Sequence, residues 1–77
     1  MERSNLHERS ESVDAIAHTI RERRKLLRLT QEDVAAAAGV SPKLVGMVES
    51  GKPSVQLDGL QKILHVLGLT LTLSEKS

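Results

Sequence analysis

Seventy-seven residues without a cysteine make one small domain with no disulfide or thiolate metal site, and a core of this size is marginal alone. Phe, Tyr and Trp are absent, so the core is Leu, Val, Ile and Ala, and base stacking on aromatic platforms, the usual grip on single-stranded nucleic acid, is excluded. Net charge is only +1, no apolar run approaches the roughly 20 residues of a membrane span, and the polar N-terminus lacks a signal-peptide pattern.

Along the chain, residues 1–11 alternate charged and polar groups around a single apolar Leu6 and are expected to form a disordered arm. Ser12 is placed to cap a first helix, with Asp14 in its first turn where the helix dipole favours negative charge. Val13, Ile16, Ala17, Ile20 and Leu27 recur at helical spacing, and Arg24 interrupts that stripe. Arg21, Arg23, Arg24, Lys25 and Arg28 crowd the same helix against a single Glu22, a run that reads first as a solvated basic face.

Thr30 caps a second helix, with Glu32 and Asp33 in its first turn, and Ser41 caps a third, with Pro42 at its first helical position. Between them Ala35 falls where two helix backbones come closest and only a small side chain fits. Gly39, four residues later, falls where a chain leaving a helix needs a positive φ. Val40 plugs the corner, and Val34, Ala38, Val45 and Val48 supply the inward faces. Small, turn-forming and apolar residues in this order spell a helix-turn-helix from Thr30 to Gly51, whose second helix enters the major groove of DNA.

Gly51 ends the third helix and GKPS forms a loop. Ser54 is expected to start a fourth helix with Leu57, Leu60, Ile63, Leu64 and Leu67 on one stripe, stopped by Gly68. LTLTL, residues 69–73, then changes the apolar period from 3.6 to 2, which predicts a strand. One strand cannot satisfy its own backbone, so the expected partner is the same strand of a second copy, antiparallel about a two-fold axis, with Leu69, Leu71 and Leu73 as the dimerisation residues. Association also supplies the stability that a small core lacks.

The segments IRERRKLLRLTQEDVA, GVSPKLVGMVESGKPSV and LDGLQKILHVLGLTLTL resemble the Cro/C1-type (XRE-like) helix-turn-helix family, and within it the HipB-like antitoxins. The resemblance implies an all-α, lambda-repressor-like bundle of four to five helices with a short C-terminal β-strand pairing across a homodimer. The divisions are an arm at 1–11, a DNA-binding domain at 12–68, a dimerisation strand at 69–73 and a flexible tail at 74–77. It also implies a cytoplasmic autorepressor that binds double-stranded operator DNA and restrains a HipA-like serine/threonine kinase toxin.

Residue roles follow the same resemblance. Arg24 and Glu49 match positions that form a partly buried ion pair between the first and third helices, and an arginine on an inward stripe needs such a partner. Gln31 matches a glutamine that clamps the DNA backbone, beside the free amides opening the second helix. Thr30, Ser50 and Lys52 join it as phosphate contacts. Base reading falls to Ser41, Pro42, Lys43 and Met47 on the exposed early face of the third helix. There only Lys43 donates strongly, best to guanine O6 or N7. Gly46 costs the helix about 1 kcal/mol and leaves room for close approach to DNA.

Two other readings stay open: a stand-alone or phage-type repressor without a toxin, and an interaction module that neutralises a partner through an apolar face of Pro42, Leu44 and Met47. His7, His18 and His65 are scattered, and no metal cluster, phosphate-cradling glycine loop or nucleophile–base arrangement points to an enzyme. No metal, cofactor, small-molecule ligand or membrane is expected.

Overall fold

The computed structural model describes residues 2–75, with side chains described from Ser12 onward. Four helices follow one another: α1 (Glu2–Leu26), α2 (Gln31–Ala38), α3 (Pro42–Glu49) and α4 (Leu57–Val66). Ile20, Val34, Ala35, Val45, Val48, Leu60, Ile63, Leu64 and Leu67 form one buried aliphatic cluster to which all four helices contribute. Helix α1 starts well before Ser12, so its backbone runs through the stretch expected to be a disordered arm and Ser12 is no cap. No Gly or Pro falls between Glu2 and Leu26, and nothing else there forbids a helix already anchored by Ile16, Ala17 and Ile20 from extending. The expectations for Met1 and for Lys76 and Ser77 of the tail lie outside the described residues.

The turn between α2 and α3 carries the local chemistry that its sequence requires. The Thr30 hydroxyl accepts from the Asp33 amide at 3.0 Å while the Asp33 carboxylate accepts from the Thr30 amide at 2.9 Å, a reciprocal capping box. That backbone bond, with the Thr30 side chain, holds the Asp33 carboxyl below its usual value. Gly39 has φ +72° and the Val40 amide reaches back to the Ala35 carbonyl at 3.0 Å, closing α2. The same closure recurs after α3 at Gly51 and after α4 at Gly68, both with positive φ.

Helix α1 ends the same way with the wrong residue. The Leu29 amide bonds the Arg24 carbonyl and the Arg28 amide bonds the Lys25 carbonyl, which puts Arg28 at φ +58° where the other three helices place glycine. A left-handed non-glycine residue costs about 1–2 kcal/mol. Arg28 is exposed, so Arg28→Gly is expected to raise stability by about 1 kcal/mol after the entropy that glycine adds to the unfolded chain, read as a higher urea midpoint.

Three apolar expectations shift. Helix α4 begins at Leu57 rather than Ser54, because Pro53 and Ser54 form a turn and Val55 drops against the core ahead of the helix. Gln56 therefore occupies the cap position and makes no side-chain cap bond. Leu57, on the first turn, is 70% exposed, and Leu27, in the turn after α1, is 40% exposed, so neither joins the stripe expected of it. Among the described residues no strand is present, and residues 69–75 lie outside any regular element. A single chain gives that segment no second strand with which to form a ladder. Leu69 packs against the core, whereas Leu71 and Leu73 are exposed.

Candidate nucleic-acid interface

Helix α3 divides cleanly by its 3.6-residue period. Val45, Val48 and Glu49 are buried and Leu44 is half-buried, which leaves Pro42, Lys43, Gly46, Met47 and Ser50 along the opposite side. Leu44 belongs to the inner side because α4 offers it a place: a Cβ on Gly59 would lie 2.7 Å from the Leu44 Cδ2 atom. The apolar outer face expected of Pro42, Leu44 and Met47 thus loses its largest member. Gly59, inside α4, is where the two helices approach closely enough to receive Leu44.

What fixes the roll of α3 about its axis is a network centred on Glu49. Arg24 grips the carboxylate with two bonds, Nε to Oε2 at 2.6 Å and Nη2 to Oε1 at 3.0 Å. Its Nη1 donates to the Leu29 carbonyl at 2.9 Å. Gln31 donates Nε2 to Glu49 Oε1 at 3.1 Å, and Arg21 donates Nη1 to the Glu49 carbonyl at 3.0 Å. The Arg24 and Glu49 side chains are 14% and 4% exposed. Burial alone would push the Glu49 carboxyl up. The bonds from Arg24 and Gln31 and the charges of Arg24 and Arg21 outweigh it and hold the carboxyl below its ordinary value, so Glu49 stays ionised. In return the bond to Glu49 raises Arg24, keeping the guanidinium charged.

The basic run on α1 is therefore not a solvated face. Arg21 caps a last-turn carbonyl of α3, and Arg23 donates Nε to the Leu67 carbonyl at the end of α4 at 2.9 Å. Arg24 holds Glu49. Arg21 and Arg23 fasten α1 to the carbonyl ends of α3 and α4, and Arg24 fastens it to a carboxylate, roles that charge counting along one helix does not show. Lys25 and Arg28 remain exposed.

The residues expected to meet DNA group as follows. Ser41, Pro42 and Lys43 are exposed at the start of α3, and Met47 is half-buried one turn on. The Ser41 hydroxyl accepts from the Leu44 amide at 3.1 Å, leaving its proton free to donate. Ser50 is exposed, but its hydroxyl donates to the Met47 carbonyl at 2.9 Å and its amide to the Gly46 carbonyl at 3.0 Å, so in this rotamer neither donor is turned to a phosphate. Lys52 and Thr30 are exposed, and Gln31 is half-buried beside Gly46. Among the described residues no group of three or more His, Asp or Glu side chains gathers as a metal site, and no helix is long and apolar enough to cross a membrane.

A family model described as helix-turn-helix matches residues 20–73, which spans the network, α2, α3 and α4. The chain belongs to the XRE-type helix-turn-helix family. It is a DNA-binding regulator of transcription of that family, with α3 in the position of the family's groove-entering helix. No curated protein matches the chain.

Proposed function

We propose that the protein is a dimeric repressor that reads operator DNA with the outer face of α3. The observation that carries this reading is the division of α3. Its inner side is locked by Arg24, Arg21 and Gln31 through Glu49, while Pro42, Lys43, Gly46 and Met47 of the eight-residue helix and Ser50 at its cap are left outward. Lys43 reads a base edge, Ser41, Pro42 and Met47 add short contacts, and Thr30 and Lys52 address phosphates, joined by Ser50 once its hydroxyl turns away from the Met47 carbonyl. With one lysine on the reading face, affinity leans on backbone contacts and DNA shape, so binding falls steeply with salt.

The dimer rests on residues 69–73. Their alternating leucines and threonines, and the exposure of Leu71 and Leu73, suit pairing with a second copy. The resemblance of the GKPSVQLDGL loop and the LTLTL segment to HipB-like antitoxins favours autorepression combined with restraint of a HipA-like kinase. The protein's own part in that scheme is binding, not catalysis.

A gel shift of the full chain against the DNA upstream of its own coding sequence tests the repressor reading, and co-purification with the neighbouring gene product tests the antitoxin one. A specific complex, and a kinase-like partner, are expected. DNA binding without a partner would leave a stand-alone repressor, and a partner without DNA binding would leave a neutralising module. Lys43→Ala is expected to weaken operator binding by about 1–3 kcal/mol and to relax preference at one base pair per half-site, measured by titration against point-substituted operators.

A further inference from the structure

Resting on the reading that α3 enters DNA, we infer that Gln31 is itself a base-reading residue, selecting a base that offers an exocyclic amine in the major groove. Glu49 is held ionised by Arg24 and can only accept hydrogen bonds, so the Gln31 amide must turn its nitrogen toward it, as the 3.1 Å contact from Nε2 to Oε1 shows. The orientation of the carboxamide is thereby decided by chemistry. Its oxygen then lies over α3 at Gly46, where a Cβ would sit 3.7 Å from Oε1.

Gly46 lies on the outer side of α3 with Pro42, Lys43 and Ser50, so the oxygen lines the flank of the reading face. Nothing in the fold demands glycine here. Its φ is not positive, and a Cβ meets only an ordinary van der Waals contact. A helix-interior glycine costs about 1 kcal/mol against alanine, and what it leaves open is the approach to the Gln31 oxygen. Among the described residues that oxygen accepts no hydrogen bond. An acceptor presented in this way repels a phosphate and attracts a donor. In the major groove the base donors are adenine N6 and cytosine N4, and the second hydrogen on Nε2 adds the adenine N7 pairing. Gln31 thus extends the reading surface that α3, with its single lysine, supplies only thinly.

The test is selection of duplexes from a randomised library by the full-length protein and by Gln31→Met, followed by titration of the selected duplexes. The parent protein is expected to prefer A or C at one base pair per half-site. Gln31→Met is expected to lose that preference alone, binding the selected duplex about tenfold more weakly and binding a duplex changed at that pair as well as the parent does. Gly46→Ala keeps the bond to Glu49 while covering the oxygen's open side, and is expected to weaken preference at the same pair; it decides the matter if Gln31→Met fails to fold. Equal weakening on every duplex with a shallower salt slope would make Gln31 a phosphate contact and overturn the inference, as would unchanged preferences in either variant. Failure of the parent protein to select any duplex would instead overturn the DNA-reading proposal beneath it.

Discussion

Arg24→Ala is expected to cost about 3–5 kcal/mol, because it strands the Glu49 carboxylate, 4% exposed, inside the domain. Folded proteins carry roughly 0.05–0.15 kcal/mol per residue, so a chain this short loses a large part of its stability in one substitution. Chemical denaturation should show the loss directly. The same pair replaced together by apolar residues, Arg24→Met with Glu49→Leu, is expected to regain a large part of it, since no charge is then left unpaired. DNA binding by that double variant should stay weaker than by the parent, because the Gln31 and Arg24 bonds that set the roll of α3 are gone. A double variant as unstable as Arg24→Ala would show that packing of the arginine stem, not charge burial, dominates.

The pair also sets an acid limit. Glu49 has its native value depressed below that of an unfolded chain, so the group's contribution is fully present above about pH 4.3. It is lost as pH falls through the depressed native value. Glu49→Gln removes this titration, and its stability is expected to vary less with pH over that acid range than the parent's, whatever its absolute value. An equally steep acid loss in both proteins would place the linked group elsewhere.

Leu71→Arg is expected to reduce operator affinity by about 10²–10⁴-fold, the advantage that joining two half-site binders supplies. Leu71 is the centre of the LTLTL segment, so antiparallel pairing about a two-fold axis sets it against its own copy and sets Leu69 against Leu73. Two arginines at that centre repel across the axis. The base preference of each half-site should survive, because Leu71 lies beside Ile16, Thr19 and Leu64 of α1 and α4. Sedimentation of the variant and parent at matched concentrations should give a monomer and a dimer. Two dimers, with affinity preserved, would remove residues 69–73 from the interface.

Parts of the fold governed by short-range rules were legible in the residues. Ala35, Gly39 and Ser41 are constrained by neighbours a few positions away, and the buried Val34, Val45 and Val48 follow from helical period alone. Arg28 was not legible as a helix-ending residue because glycine is the usual signal there. Arg21 and Arg23 looked like surface charge because their acceptors lie 28 and 44 residues away and are backbone carbonyls, which carry no residue identity. Leu44 misled for a related reason: its partner is the missing side chain of Gly59, and an absence at a distance leaves no periodic mark. On the candidate interface, Lys43 and Gln31 stood out by type and position. The direction of the Gln31 carboxamide required the Glu49 carboxylate to be seen beside it.

Amide chemical shifts of the full-length protein, followed as a duplex selected from a randomised library is added, test the role of α3 most directly. Perturbations concentrated at Gln31, Ser41, Lys43 to Met47, Ser50 and Lys52 are expected, with α4 and residues 69–73 little affected. Shifts confined to other surfaces, or none at saturating duplex, would mean that this helix does not meet DNA.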